Sequence, residues 1–104
     1  MQAAWYGAFG PAAEVLQVGE REAPSAGPGE VLVRAVLSPI HNHDLWTVRG
    51  TYGFKPELPA RAGTEAVGVV EAVGEGVTGF APGQRVATGG SFGAWAEFFV
   101  AKAG

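Results

Sequence analysis

The 104-residue sequence contains no cysteine, so disulfides, thiolate metal sites and thiol nucleophiles are excluded. Basic residues are few. Arg21, Arg34, Arg49, Lys55, Arg61, Arg85 and Lys102 are scattered along the chain, and the net charge is -3. Nucleic-acid phosphates demand clustered Lys and Arg, so no nucleic-acid partner is expected. No window approaches the roughly 18 apolar residues of a membrane span. The start, MQAAWYGAFG, lacks the charged stretch and apolar run of a secretion signal. A chain without membrane contact, cytoplasmic by default, is expected. No Gly-x-Ser-x-Gly, paired-carboxylate or phosphate-loop pattern is found, which removes the usual footholds for hydrolysis and phosphoryl transfer.

What the sequence has in quantity is punctuation. Seventeen glycines and seven prolines interrupt it every few residues, which favours short strands over helices. Strands are expected at Ala3–Phe9, Glu14–Val18, Glu30–Val36, Glu65–Val73, Gln84–Thr88 and Ala94–Ala101. In the third, Val31, Val33 and Ala35 alternate with Glu30, Leu32 and Arg34, the pattern of a strand with one wet face. The tract 23–29 reads as a turn-rich connector. One short helix, His43–Arg49, is expected, with Asn42 as its cap, Asp44 in its first turn and Gly50 ending it. The fold class is mainly β: one domain over residues 1–104, a small, partly open barrel.

Gly74-Glu75-Gly76-Val77-Thr78-Gly79 has the G-x-G-x-x-G spacing of a dinucleotide-binding loop. Such a loop must open a helix and be followed by an acidic residue about 20 positions on. Here Pro82 falls within the first turns of any helix starting at the glycines, and Phe98-Phe99-Val100 occupies the acidic position. A strand-joining turn is the expected role.

The run EAVGVVEAVGEGVTGFAPGQRV, with Glu30-Val31-Leu32-Val33, Asp44-Leu45, Gly63-Thr64-Glu65-Ala66 and Pro82-Gly83-Gln84-Arg85-Val86 in that order, resembles the N-terminal, GroES-like domain of medium-chain dehydrogenases/reductases. The similarity spans nearly the whole chain. It implies the substrate-side domain of a two-domain oxidoreductase that uses NADPH. The cofactor would be bound mainly by a Rossmann domain outside these residues, a small molecule would be the substrate, and the full enzyme would be a homodimer.

Zinc alcohol dehydrogenases of this superfamily carry a cysteine where this chain has His41 and a histidine where it has Thr64, so zinc is not expected. His41 and Glu65 are the weak candidates for a metal. Taken alone, Glu65 reads as a buried, paired carboxylate. Gly63-Thr64-Glu65-Ala66 resembles the zinc-free quinone oxidoreductases. The segment from Arg49 to Ala60 (RGTYGFKPELPA) resembles the enoyl thioester reductases, whose tyrosine in this motif is a proton donor, and Gly93-Ala94-Trp95 resembles their Gly-Thr-Trp. That resemblance assigns catalysis to Tyr52. A phenol keeps its proton at neutral pH and can protonate a developing enolate without a metal. Taken on its residues alone, Tyr52 could equally be a loop aromatic packed on Pro56 or Pro59. His41, Asn42, His43, Trp46 and Thr64 are expected around the substrate cleft. The alternatives are a zinc-type alcohol dehydrogenase domain and a non-catalytic GroES-like binding or assembly module. Trp5, Tyr6, Trp95, Phe98 and Phe99 read as core or interface aromatics.

Overall fold

In a computed structural model, residues 1–103 are described. The elements run β1 (Gln2–Tyr6), α1 (Ala12–Val15), β2 (Gln17–Glu20), β3 (Glu30–Leu37), α2 (Asn42–Arg49), β4 (Ala60–Arg61), β5 (Ala66–Val73), β6 (Arg85–Thr88) and β7 (Phe98–Lys102). Among the described residues the strands form two antiparallel sheets, ordered β2-β1-β4 and β6-β5-β3-β7. The sheets do not close into a barrel. They are sutured by the segment before β7: Ala96 bridges to Ala3, Ala4 N–H donates to the Trp95 carbonyl at 2.8 Å, and Ala35 N–H donates to the Glu97 carbonyl at 2.9 Å.

The alternation in β3 fixes its inner face. Val31 and Val33 are buried while Arg34 is exposed, and Val33 lies between Val70 of β5 and Phe99 of β7 in register. Val31, Val33 and Phe99, with Ala66, Ala94 and Ala101, make one core cluster. A second cluster of Ala4, Tyr6, Val48, Ala60 and Ala62, with Trp95 packed against it, fastens α2 to the three-stranded sheet. Full burial of a side chain the size of Val48 contributes about 1.5–3 kcal/mol, so the second cluster helps to hold the helix in place.

The glycine motif forms a turn between β5 and β6, with no helix after it. Gly76 and Gly79 have φ of 79° and 89°, which side-chain-bearing residues resist. Gly74 has no room for a side chain, because a Cβ there would fall on the carbonyl of Gly27. The 23–29 connector is thereby laid against the turn, with Gly29 N–H donating to the Glu75 carbonyl at 3.0 Å.

Several strand expectations need correction, and the first is Ala3–Phe9, which is a strand only to Tyr6. Glu14–Val18 is not one strand: residues 12–15 form a one-turn helix and the strand starts at Gln17, so there are two short helices rather than one. Ala94–Ala101 is a strand only from Phe98, because the residues before it leave the four-stranded sheet to bond β1. Among the described residues no helix is long and apolar enough to cross a membrane.

Candidate functional site

Three segments converge at the start of α2: the helix itself, the loop Gly63-Thr64-Glu65 between β4 and β5, and the loop that follows Gly50. The helix begins one residue earlier than expected. His41, in extended conformation, is the cap residue, and Asn42 is the first residue of the helix. The reason is Asp44, whose Oδ2 accepts the His41 backbone N–H at 3.0 Å while its own N–H donates to the His41 carbonyl at 3.0 Å. That satisfies donors the first helical turn otherwise leaves free. Gly50 closes the helix with φ of 84°, its N–H shared between the carbonyls of Trp46 and Thr47.

Asp44 is also the root of a polar chain. Its side chain is 1% exposed, and its Oδ1 accepts the hydroxyl of Thr64 at 2.8 Å. The Thr64 oxygen lies 2.9 Å from Nε2 of His43, which stands 3.5 Å from Asp44 Oδ1. A buried carboxylate with two donors and an imidazole beside it is well compensated. Thr64 is in turn held by the loop that follows β6, since its carbonyl accepts Ser91 N–H at 2.8 Å.

Outside the chain lies a row of rings. His41 stacks on His43 with centroids 4.9 Å apart, His43 faces Tyr52 at 5.8 Å, and Tyr52 stacks on Trp46 at 6.3 Å. Trp46 and Tyr52 are exposed by 49% and 42%. Two sizeable hollows, of about 530 and 440 Å³, lie elsewhere, beside Arg61 and Phe98 and beside Leu37 and Trp95; none of the four rings lines them. The rings thus form an open face rather than a closed pocket.

Of the residues singled out in the sequence, His41, His43, Trp46, Tyr52, Thr64 and Glu65 are brought together. Asn42 is exposed, and no hydrogen bond among the described residues ties its side chain to the cluster. Glu65 is paired but not buried. It meets His41 Nε2 at 2.9 Å with its side chain half exposed, because it precedes β5 on the outer side while its neighbours Thr64 and Ala66 point inward. Among the described residues no group of three or more His, Cys, Asp or Glu side chains is arranged to hold a metal ion. The linkage of His43 to Asp44 through Thr64 is not legible in the sequence, because partners 20 positions apart leave no periodic signal.

Comparison with known proteins agrees with this architecture. The alcohol dehydrogenase GroES-like domain family matches residues 27–104. The chain is 42% identical over 81 residues to the mitochondrial enoyl-[acyl-carrier-protein] reductase of Bos taurus, covering 78% of this chain and 22% of the reductase. It is 46% identical over 71 residues to an alcohol dehydrogenase of Geobacillus stearothermophilus, covering 68% of this chain and 21% of that one. The solved structure of Escherichia coli quinone oxidoreductase complexed with NADPH superposes with a TM-score of 0.90 at 31% identity, over 99% of this chain and 31% of that one. The chain thus spans less than a third of the length of these relatives. Its sequence match and its two-sheet fold agree: the chain belongs to the alcohol dehydrogenase GroES-like domain family of the medium-chain dehydrogenase/reductase superfamily.

Proposed function

We propose that residues 1–104 are a single GroES-like domain forming the substrate side of an NADPH-dependent, zinc-independent oxidoreductase that reduces an activated alkene, such as an enoyl thioester, or a quinone. The observation that carries this reading is Tyr52, an exposed phenol set between Trp46 and a histidine tied to a buried carboxylate. NADPH, when bound, supplies the hydride. The glycine turn at 74–79 does not fit a pyrophosphate, so the cofactor is assigned mainly to a nucleotide-binding domain outside these residues. Within this chain, Tyr52 gives a proton to the carbon or oxygen where negative charge develops, the work of a general acid. Trp46 and His43 hold the phenol ring from either side. His41, Asn42 and Thr64 border the substrate on this reading.

The donor set supports zinc independence. A catalytic zinc takes three protein ligands. Thr64 offers only a hydroxyl, already shared between His43 and Asp44, and the Nε2 of His41 is taken by Glu65. We assign the enzyme to the cytoplasm as a homodimer; cell fractionation and sedimentation check each point.

The decisive assay follows NADPH absorbance in the full-length protein with a short enoyl thioester and with p-benzoquinone. We expect turnover with at least one, a loss of about 10²-fold or more in kcat for Tyr52→Phe, and no stoichiometric zinc by plasma emission. A protein that consumes no NADPH with either acceptor is a binding module instead. Full-occupancy zinc with alcohol oxidation moves it to the zinc-type alcohol dehydrogenases.

A further inference from the structure

The polar chain at the base of the site has a direction. Ionised Asp44 can only accept hydrogen bonds, and its Oδ1 is 2.8 Å from the Thr64 hydroxyl, so the single hydroxyl hydrogen of Thr64 is committed to it. The Thr64 oxygen is then an acceptor toward His43, and the 2.9 Å contact requires the hydrogen to sit on His43 Nε2. The other carboxylate oxygen, Oδ2, is occupied by the His41 backbone N–H, which keeps the carboxylate from rotating away. His43 is thus held with Nε2 protonated in both its neutral and its charged form. Any proton it gains or loses passes through Nδ1. The side chain of His43 is 37% exposed, and its ring lies beside that of Tyr52, with centroids 5.8 Å apart.

We propose that His43 is a one-port proton carrier for Tyr52, with Thr64 and Asp44 as the positioning residues that close its other nitrogen. The inference rests on the reductase reading above and adds the route by which the phenol is recharged. Tyr52 breaks its O–H bond to give a proton to the carbanion or enolate on the substrate. The tyrosinate oxygen takes the Nδ1 proton of the His43 imidazolium. Neutral His43 then takes a proton from water at Nδ1, leaving its Nε2–H bond to Thr64 untouched. One proton from solvent enters the product, and neither Tyr52 nor His43 is oxidised or reduced. His41, stacked on His43, and Glu65, bonded to His41, are the other titratable groups at this face with Asp44 and Tyr52. None of them has a hydrogen bond to His43 that could compete with Thr64 for Nε2; Asp44 Oδ1 is the nearest at 3.5 Å.

The test combines spectroscopy and kinetics on the full-length protein. In ¹⁵N-histidine-labelled protein at mildly alkaline pH, with His43 assigned by comparison with His43→Gln, long-range ¹H–¹⁵N spectra should show a protonated Nε2 and a bare Nδ1. Thr64→Ser keeps the hydroxyl and should keep this pattern. Thr64→Val combined with Asp44→Asn, so that no carboxylate is left to take the Nε2 hydrogen directly, should release the ring to a mixture of tautomers. In NADPH oxidation, His43→Gln should lower kcat by about 10²-fold with KM little changed, and Thr64→Val should fall below Thr64→Ser. A His43 protonated at Nδ1 in the wild type overturns the inference, as does a spectrum of the Thr64→Val, Asp44→Asn double variant identical to wild type. An active wild type with an equally fast His43→Gln sinks the relay alone. A wild type that reduces neither acceptor sinks the functional reading and the relay with it.

Discussion

Replacing Gly63 by alanine tests whether the loop beneath the site is as tightly seated as its geometry indicates. Gly63 has φ of 90°, and a Cβ built there would lie 2.5 Å from Cδ1 and 2.7 Å from both Cγ and the backbone nitrogen of Trp95. Trp95 cannot simply step aside. Its backbone N–H donates to the Ala62 carbonyl at 3.0 Å, its carbonyl accepts Ala4 N–H at 2.8 Å, and its indole N–H reaches the Pro39 carbonyl at 3.2 Å. The left-handed backbone costs an alanine about 1–2 kcal/mol, and forcing an extra methyl into a packed site costs about 1–3 kcal/mol more. The sum, about 2–5 kcal/mol, should lower Tm by at least about 8 °C, at about 4–8 °C per kcal/mol for a domain of this size. Gly76→Ala is the control. Its φ is 79°, but nothing lies within 4 Å of its added Cβ, so it carries the backbone cost without the clash. Urea titration read by tryptophan fluorescence should separate the two variants by the packing cost, about 1–3 kcal/mol. Equal losses would refute the claim that Trp95 is locked over Gly63.

Other perturbations read other parts of the same frame. Burial pushes the Tyr6 phenol above its ordinary value, so its contribution to stability is intact below about pH 10 and declines as pH rises through the raised value. Thermal melts should show an alkaline fall that Tyr6→Phe flattens, and parallel pH curves for both proteins would contradict this. Asp44→Asn leaves one acceptor oxygen for two donors, His41 N–H and Thr64 O–H, and should cost about 1–3 kcal/mol. A double-mutant cycle with Thr64→Val should give a coupling of about 0.5 kcal/mol or more, and additive losses would deny the contact. Phe99→Ala opens the core beside Val33 and should cost about 3–5 kcal/mol in urea unfolding; a loss within the range of a surface substitution would place that ring outside the core.

What the sequence made legible was what repeats or punctuates. The alternation around Val31 and Val33 marked β3 and its buried side, and Gly50 marked the end of α2. Misreadings fell where tertiary contacts outvote local pattern. Between its neighbouring turns, Glu14–Val18 reads as a short strand. Yet Ala12, Ala13 and Glu14 favour helix, and Pro11 at the cap is compatible with one. A four-residue turn of helix is not stable alone, and here Gly10 N–H donates to the Val48 carbonyl at 3.1 Å, drawing the turn onto α2. The cap of α2 was misplaced by one residue because Asn is the better cap by preference. The Asp44 carboxylate instead bonds the backbone of His41, and that pairing fixes the helix start.

The glycine-rich stretch shows why spacing alone is a poor guide to chemistry. A pyrophosphate loop needs its glycines open, with backbone N–H groups free to meet an anion. Here Gly74 N–H is committed to the Glu30 carbonyl at 2.8 Å and a Cβ on it would run into the Gly27 carbonyl, while Gly76 and Gly79 supply curvature to a hairpin. The residues that carry the site lack a spacing signature, because they come from a helix start, a loop 20 residues later and the tyrosine loop between them. Their common feature is that Asp44 is buried and must be satisfied. Two donors from different segments meet that need, and one of them, Thr64, passes the constraint to His43. A fold requirement at the helix cap and a hydrogen-bond direction at the exposed face are therefore set by the same carboxylate. For that reason the stability of α2 and the tautomer of His43 should change together when Asp44 is altered.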